Sequence, residues 1–173
     1  LSAPMIEIHR DALGATQRQA RVYAETSELM GLSSTFVRGG DGEPEEFVAF
    51  DNNDLTSDFV RWSRNKAILE AAPDLALGSP TVGWLKSALR SCVMLQRPDY
   101  PKYVSVPVLM FAAGADKIVS TTRIEDFAVE LKVGGVIMMP GSRHEILQEN
   151  DAIRQRFWAA FDAYMGVAIP RAA

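Results

Sequence analysis

The sequence predicts an α/β fold in which a parallel sheet is covered by helices, because two buried strands alternate with two helices in its C-terminal part. Residues 106–116 (VPVLMFAAGAD) form a continuous apolar run that ends in Gly and Asp, and residues 135–141 (GVIMMPG) form a second, shorter run. Continuous rather than alternating apolar residues indicate strands that are covered on both faces, as in a parallel sheet. Helical patterns follow at about 120–131 and 151–165. This order of elements is typical of the edge of a doubly wound sheet.

Apolar residues recur at helical spacing in both of these helices. The positions predicted to face the sheet are Ile124, Phe127 and Leu131 in the first helix and Ile153, Phe157, Phe161 and Tyr164 in the second. In the second strand, Met138 and Met139 are predicted to be core residues. The sheet and its two helices therefore account for most of the apolar residues in this part of the chain.

The region that precedes these strands is predicted to be helical. Apolar spacing indicates helices at about 16–32, at about 56–72 and from residue 82 onward. Residues 38–54 are rich in Gly, Asp, Asn and Pro and are predicted to be loop. Within that loop, residues 51–54 (DNND) lack the spacing of a calcium-binding loop and are expected to form Asx turns. The helical middle has the character of an insertion carried on the α/β sheet.

Two of these helices carry predictions about single residues. The helix at 56–72 is expected to begin at Thr56 or Ser57, whose hydroxyl can accept a hydrogen bond from a first-turn N–H. The helix that begins at residue 82 presents one apolar stripe, made of Val82, Leu85, Leu89 and Val93. Cys92 lies in the same apolar pattern and is predicted to be a buried structural thiol, because a reactive cysteine needs an exposed, electropositive site.

The composition excludes several classes of function. The chain has 173 residues, 47% of them hydrophobic, and a net charge of −4, which suits one domain with a substantial core. No Lys/Arg-rich run is present, so nucleic acid is not an expected partner. A single cysteine excludes an internal disulfide, and without a Cys/His ligand cluster we expect no metal. No apolar run reaches the roughly 20 residues needed to span a bilayer.

The first residues, LSAPM, have the pattern of the end of a buried strand followed by a turn. Because a domain seldom begins within a strand, we expect the chain to be the C-terminal part of a longer protein. The expected division is then the end of a core strand at 1–9, a helical cap at 10–103 and a βαβα part of the sheet at 104–173.

Two polar residues follow the two predicted strands, Asp116 after the first and His144 after the second, 28 residues apart. The carboxyl ends of parallel strands share one edge of the sheet, where ligands bind. A carboxylate at a histidine ring nitrogen fixes the ring tautomer and stabilises the imidazolium, so the pair is a candidate acid–base site. Position alone leaves open a structural histidine and an Asp that only caps the next helix. His9, the other histidine, has no partner pattern around it.

At these residues the sequence resembles the α/β-hydrolase superfamily, and more narrowly the bacterial lysophospholipase L2 and monoacylglycerol lipase group of serine hydrolases. The matching stretches are LSAPM at the start, NNDLTSDFVRWSRN (52–65), PDLALGSPTVGWLKSA (73–88), VPVLMFAAGADKIV (106–119) and PGSRHEILQE (140–149). They occur in the order of that family and span most of the chain. GADKIV is a signal of the whole superfamily, whereas LTSD…R and LALGSPTVGWL are more specific.

The resemblance implies a Ser-Asp-His triad in which His144 is the general base and Asp116 orients it. The serine of such enzymes lies on a G-x-S-x-G elbow, and this sequence contains no such motif. We therefore expect the nucleophile and the oxyanion-hole donors upstream of Leu1, and we expect this chain alone to be inactive. Glu145 is predicted to be a supporting or surface group. For Glu149 two roles stay open, either to hold the histidine loop or to begin the last helix.

The resemblance further implies an esterase that cleaves lysophospholipids or monoacylglycerols through an acyl-enzyme and needs no cofactor. Its partners would be a lipid-like ester and the upstream part of the same protein, and the enzyme would be cytoplasmic, in peripheral contact with the inner face of a membrane. An apolar tunnel in the cap would hold the acyl chain. Candidate lining residues are Met30, Phe59, Trp84, Leu85 and Met94, although packing of the cap helices on each other or on the sheet is the favoured explanation for each one.

Other functions stay open at this point. The same triad could act on a different ester or on a peptide, and the substrate-binding residues and the oligomeric state are not indicated by the sequence. A hydrolase-fold binding protein without catalysis is a further alternative, as is an independent interaction domain made of helices and an α/β part. Intact Asp116 and His144 argue against the binding protein, since a relative without activity has no chemical need for either residue.

Overall fold

The computed structural model describes residues 1–166, and its centre is a parallel pair of strands, β1 (Val108–Ala113) and β2 (Gly134–Met139). Val108 lies opposite Gly134 and Ala113 lies opposite Met139. The start of the chain pairs with the other edge of β1 in the same direction through a single bridge, Ser2 to Phe111. The predicted parallel sheet and the strand-like start of the chain are therefore confirmed.

Seven helices accompany these strands within residues 1–166. They are α1 (Arg10–Leu13), α2 (Gln17–Leu29), α3 (Phe59–Ala71), α4 (Val82–Leu95), α5 (Tyr100–Tyr103), α6 (Thr121–Glu130) and α7 (Asp151–Met165). Short 3-10 turns lie at Glu45–Phe47, Phe50–Asn52, Pro73–Leu75 and Ile146–Gln148. The predicted α/β class and the predicted helices are confirmed, with boundaries shifted by up to three residues. None of these helices is both long and apolar enough to cross a membrane.

Two groups of buried side chains form the core. The first surrounds the sheet, where Phe111 stacks near Phe157 with ring centroids 4.2 Å apart and α6 contributes Ile124. The second lies between α2 and α4; its members are Ile8, Ala20, Ala24, Leu85, Ala88, Leu89 and Cys92. Cys92 is buried, as predicted, and burial raises the pKa of its thiol, which keeps it protonated and unreactive.

Helix α3 does not begin where the sequence suggested. Its N-cap is Asp58, whose carboxylate accepts the N–H of Arg61, and not Thr56 or Ser57. The hydroxyl of Thr56 instead donates to the carbonyl of Gln148, 2.7 Å away, because a long-range partner competes with the local cap. The prediction was wrong because capping residues are interchangeable in sequence, while tertiary contacts decide which one is free to cap.

Several residues predicted to be core are partly exposed. Val93 in α4 is half-exposed, and the buried side of that helix includes Cys92 instead. Met139 is core as predicted, whereas Met138 is partly exposed, because consecutive strand residues point to opposite faces and only one face is covered there. In α7, Phe161 and Tyr164 lie at the exposed margin of the apolar side. The division of the chain at residues 9 and 103 stays a prediction.

A substitution of Gly134, the first residue of β2, tests the parallel register of the two strands. A Cβ at this position would lie 2.6 Å from the carbonyl oxygen of Val108 and 2.9 Å from Leu131 Cδ1, whereas a Cβ on Gly135 would meet nothing within 4 Å. Gly134→Ala must push the strands apart, so we expect it to lower the free energy of unfolding by about 1–3 kcal/mol. Gly135→Ala, the matched control one residue along, should be neutral or stabilise by up to about 1 kcal/mol. Urea unfolding measures both, and equal values would show that β2 is not in this register.

Candidate active site

Asp116 and His144 are in contact at the carboxyl edge of the sheet. Nδ1 of His144 lies 2.9 Å from Oδ2 of Asp116, and the side chains are 25% and 0% exposed, respectively. A carboxylate only accepts hydrogen bonds, so this contact requires the proton on Nδ1 and leaves Nε2 as the nitrogen that can take a proton from another group. The expected contact is therefore present, while the catalytic role of the pair stays a prediction.

The Asp116 carboxylate is held in place by the backbone that follows it. Oδ1 accepts the N–H groups of Ile118 at 2.8 Å and Val119 at 3.0 Å, which leaves Oδ2 for His144. Asp116 does not cap the next helix, because Ser120 provides the N-cap of α6. The alternative that Asp116 serves only as a helix cap is thus wrong.

The two strand-end loops are joined directly to each other. The N–H of Gly114 donates to the carbonyl of Met139 at 2.9 Å, and the N–H of Ala115 donates to that of Ser142 at 2.8 Å. A Cβ on Gly114 would lie 3.1 Å from the Met139 carbonyl oxygen and from the Cα of Pro140, so this close approach favours glycine. The parallel pairing therefore continues past the strands and delivers Asp116 beside the histidine loop.

The loop that carries His144 rests on residues 53–56, which lie in the helical middle of the chain. The Arg143 guanidinium donates to the carbonyls of Asn53 at 2.6 Å and Thr56 at 3.1 Å. The N–H of Glu145 donates to the Leu55 carbonyl at 2.8 Å. Asn53 itself forms the expected Asx turn, its Oδ1 accepting the N–H groups of Leu55 and Thr56. The position of His144 therefore depends on a segment far from it in sequence.

Glu149 holds the histidine loop and does not begin the last helix. It is 0% exposed, and its Oε1 accepts the N–H groups of Arg143 at 2.8 Å and Ser57 at 3.1 Å. Its Oε2 accepts the hydroxyl of Ser57 at 2.5 Å. The N-cap of α7 is Asn150, whose side chain accepts the N–H of Ile153. Of the two roles that the sequence left open, the first is correct.

Two glutamates, Glu145 directly after His144 and Glu45 in the helical middle of the chain, have raised pKa values. Burial raises the pKa of Glu145, Glu46 raises it further, and His144 opposes the shift. Burial also raises the pKa of Glu45, with smaller contributions from Asp54 and Glu46. Within residues 1–166, no three His, Cys, Asp or Glu side chains are grouped so that they could hold a metal ion. Of these two carboxyl groups, Glu145 is the one whose charge interacts with His144.

His9, the weaker of the two histidine candidates, has a structural position. Its Nδ1 accepts the N–H of Asp11 at 3.2 Å and so caps the short helix α1. Its backbone N–H donates to the Ile118 carbonyl at 2.8 Å. The structure therefore gives this histidine a capping role.

A cavity of about 820 Å³ lies among α1, α2 and α4. Trp84 and Leu85 line it, together with Leu13, Tyr23 and Ile118, and their role towards an acyl chain stays a prediction. Ile118 connects the cavity to the candidate site, because its N–H donates to Asp116.

Met30, Phe59 and Met94 are not among the residues that line this cavity. Phe59 packs on Phe50 and Trp62 instead, with ring centroids 5.2 and 5.7 Å away. Whether these three residues face an acyl chain stays a prediction, because apolar spacing identifies a helix face but not what that face meets.

Sequence reasoning missed most of the supporting residues. Arg143 and Ser57 were not singled out as site residues, although they lie in the two stretches, SRHEILQE and LTSD, that carry the resemblance. Their roles depend on pairing between segments about 90 residues apart in sequence. A local sequence pattern cannot indicate a contact between segments so far apart. Only the presence of both stretches in one sequence could have indicated these contacts.

The chain matches one family model over residues 1–151, that of the hydrolases described as serine aminopeptidase S33. No curated protein sequence matches the chain significantly. Among solved structures, a soluble variant of the monoglyceride lipase of Saccharomyces cerevisiae has a TM-score of 0.66 and 16% identity. That match covers 95% of this chain and 54% of the lipase.

Two further structures are similar. The monoacylglycerol lipase of Paleococcus ferrophilus has a TM-score of 0.58 and 12% identity, and the match covers 95% of this chain and 56% of the lipase. The thermostable carboxyl esterase of Bacillus coagulans has a TM-score of 0.58 and 16% identity, with 87% and 52% covered. At these identities the likeness shows the α/β-hydrolase fold, and the chain spans about half the length of each neighbour.

The raised pKa of Glu145 predicts how its removal changes stability with pH. A carboxyl whose pKa is higher in the folded state binds its proton more tightly there, so its contribution to stability is fully present below its ordinary pKa and is lost as pH rises through the raised value. We expect Glu145→Gln to leave the Tm near that of the wild type at pH 4 and to raise the Tm relative to the wild type at pH 7.

Thermal unfolding at several pH values measures this difference. Glu125→Gln, a substitution of an exposed glutamate of α6, is the matched control and should show a difference that does not grow with pH. If the Tm of Glu145→Gln falls below that of the wild type at pH 7, Glu145 is stabilised by its charge and not penalised by burial.

Proposed function

The chain belongs to the hydrolase family described as serine aminopeptidase S33, and from that premise we propose that it forms the acid–base part of a serine hydrolase that cleaves carboxylic esters of lysophospholipids or monoacylglycerols. The observation that carries the proposal is the contact between Asp116 and His144, which leaves Nε2 of the ring available. A partner serine is expected in the polypeptide that contains this chain, because no G-x-S-x-G motif occurs in these residues.

The proposed reaction uses the histidine twice. Nε2 of His144 takes the proton of the serine hydroxyl as its oxygen attacks the ester carbonyl carbon, and Asp116 stabilises the imidazolium. His144 then gives this proton to the departing alcohol, and the acyl group stays on the serine. Water repeats the sequence, its proton passing to His144, and releases the fatty acid together with a free serine. No cofactor enters either half of this reaction.

The cavity supports a substrate with an acyl chain. Its walls include the apolar side chains of Leu13, Leu85 and Ile118, and its volume of about 820 Å³ is within the range of small-molecule sites. Neither Asp116 nor His144 lines the cavity, but Ile118 joins one of its walls to Asp116, and we propose that a chain held there brings its ester towards the histidine. Lipase and esterase neighbours of the same fold agree with this choice of substrate class.

A peptide substrate is the second candidate. The family description names aminopeptidases, and the carboxyl group of Glu145 interacts electrostatically with His144. A protonated amino terminus would be attracted to a carboxylate at this position. Turnover of aminoacyl amides in place of monoacylglycerols would support this function over the esterase.

The location and partners of the protein are part of the proposal. An exposed apolar tip at the end of α2, defined by Leu29, Met30 and Leu32, supports peripheral contact with a lipid surface. A single buried thiol is compatible with the reducing cytoplasm. We therefore place the enzyme at the inner face of a membrane, with the remainder of the same protein as the partner that completes the fold, and without nucleic acid.

Loss of either member of the pair should abolish catalysis. In the full-length protein we expect His144→Ala to stop labelling by a fluorophosphonate probe, and Asp116→Asn to lower kcat on a monoacylglycerol on the order of 10⁴-fold, because the ring is then held in the wrong tautomer. His9→Ala, which removes the other histidine, should keep its labelling. A full-length protein that carries a serine elbow and yet takes no label would refute the esterase and favour a binding protein.

The cavity should set which acyl chains are accepted. Ala12 lines it at an exposed position of α1, so Ala12→Trp would fill part of its volume. We expect kcat/KM to fall at least about tenfold for a long-chain monoacylglycerol and to change little for a butyrate ester. Ala67→Trp, an equal change at an exposed position of α3 outside the cavity, is the control. An equal loss for both chain lengths would place the acyl chain elsewhere.

A further inference from the structure

Glu149 is a fully buried carboxyl group that lies outside the Asp116–His144 contact. Three donors face it: the N–H of Arg143, the N–H of Ser57 and the hydroxyl of Ser57. A buried carboxyl group is costly unless its oxygens are paired, and here each oxygen has at least one partner. The two N–H groups belong to segments that are otherwise remote in sequence, so this one side chain joins them.

One of these donors, the N–H of Arg143, holds the backbone next to His144. Arg143 directly precedes His144. The hydrogen bond from its N–H to Oε1 of Glu149 fixes the orientation of the peptide unit between Ser142 and Arg143. The side chain of Arg143 and the N–H of Glu145 are fixed in turn to residues 53–56. His144 is therefore held on both sides by the backbone, whereas its own N–H makes only a long contact of 3.4 Å with the Asp54 carbonyl.

We propose that Glu149 is a positioning residue, which holds the His144 ring in hydrogen-bonding contact with Asp116 by tying the Arg143 peptide to Ser57. The catalytic meaning of this role rests on the proposed function. A ring must be held within about 0.5 Å of its working position, and a displacement of about 1 Å costs on the order of 100-fold in rate. The length of the Glu149 side chain matters for this role, because it must contact the backbone at both Arg143 and Ser57. Its negative charge does not matter for this role.

Two substitutions in the full-length enzyme separate reach from charge. Glu149→Gln keeps the length and one carbonyl oxygen for both N–H groups, and its amide can donate to the Ser57 hydroxyl, which then accepts. Glu149→Asp keeps the charge but shortens the side chain by one methylene. We expect Glu149→Gln to keep most of its kcat and Glu149→Asp to lose on the order of 100-fold in kcat with little change in KM. Glu125→Asp is the matched control at an exposed glutamate.

A second measurement needs no turnover. The proton on Nδ1 of His144 is protected by Asp116 and should give a downfield proton resonance in NMR, which is assigned by its absence in His144→Ala. We expect this signal to persist in Glu149→Gln and to disappear in Glu149→Asp. A wild type that is inactive towards esters but shows the same changes would refute the proposed function and leave the positioning role standing.

The opposite results overturn the inference. If Glu149→Asp lowers only the Tm and keeps both kcat and the Nδ1 signal, Glu149 is merely structural. If Glu149→Gln loses as much kcat as Glu149→Asp, the charge and not the reach is what matters. If Glu149→Asp does not fold, Glu149→Met decides, since it keeps the length of the side chain and removes both acceptor oxygens: a lower kcat with a weakened Nδ1 signal supports the role, and an unchanged enzyme rejects it.

Discussion

The parallel register of β1 and β2 determines where the two members of the candidate pair can lie. Because the strands run in the same direction, both end at one edge of the sheet, with Ala113 opposite Met139. Asp116 and His144 follow these residues within a few positions, and the hydrogen bonds of Gly114 and Ala115 extend the pairing into the loops. An antiparallel pair would have put the two residues at opposite ends of the sheet, where no side chain could bridge them.

Two buried carboxyl groups then convert that proximity into a defined geometry, and they do so in the same way. Asp116 uses one oxygen to accept two backbone N–H groups and the other to meet the His144 ring. Glu149 likewise uses one oxygen for two backbone N–H groups and the other for a hydroxyl, that of Ser57. In each case the oxygen that accepts two N–H groups fixes the orientation of the carboxyl group. The first orients the ring, and the second fixes the backbone that carries it.

Much of the sheet and of the pair could be predicted from sequence, because the signals there are local. Continuous apolar runs gave the strands, and the polar residues directly after them gave Asp116 and His144. The cap of α3 and the burial of Val93 and Met138 could not be predicted, since a helix or strand pattern identifies a face without saying what covers it. The role of Glu149 depended on Ser57, about 90 residues earlier in the chain, and no local pattern reaches that far.

Asp116 and His144 are supported by two different segments, one before the helical middle of the chain and one within it. The Asp116 loop is braced by residues 7–9, since Ile8 bridges Val119 and the N–H of His9 donates to the Ile118 carbonyl. The His144 loop is braced by residues 53–57 through Arg143 and Glu149. The contact of 2.9 Å between Asp116 and His144 is where these two supports meet. We therefore expect a change in either support to alter the distance between Asp116 and His144 even when both of these residues are untouched.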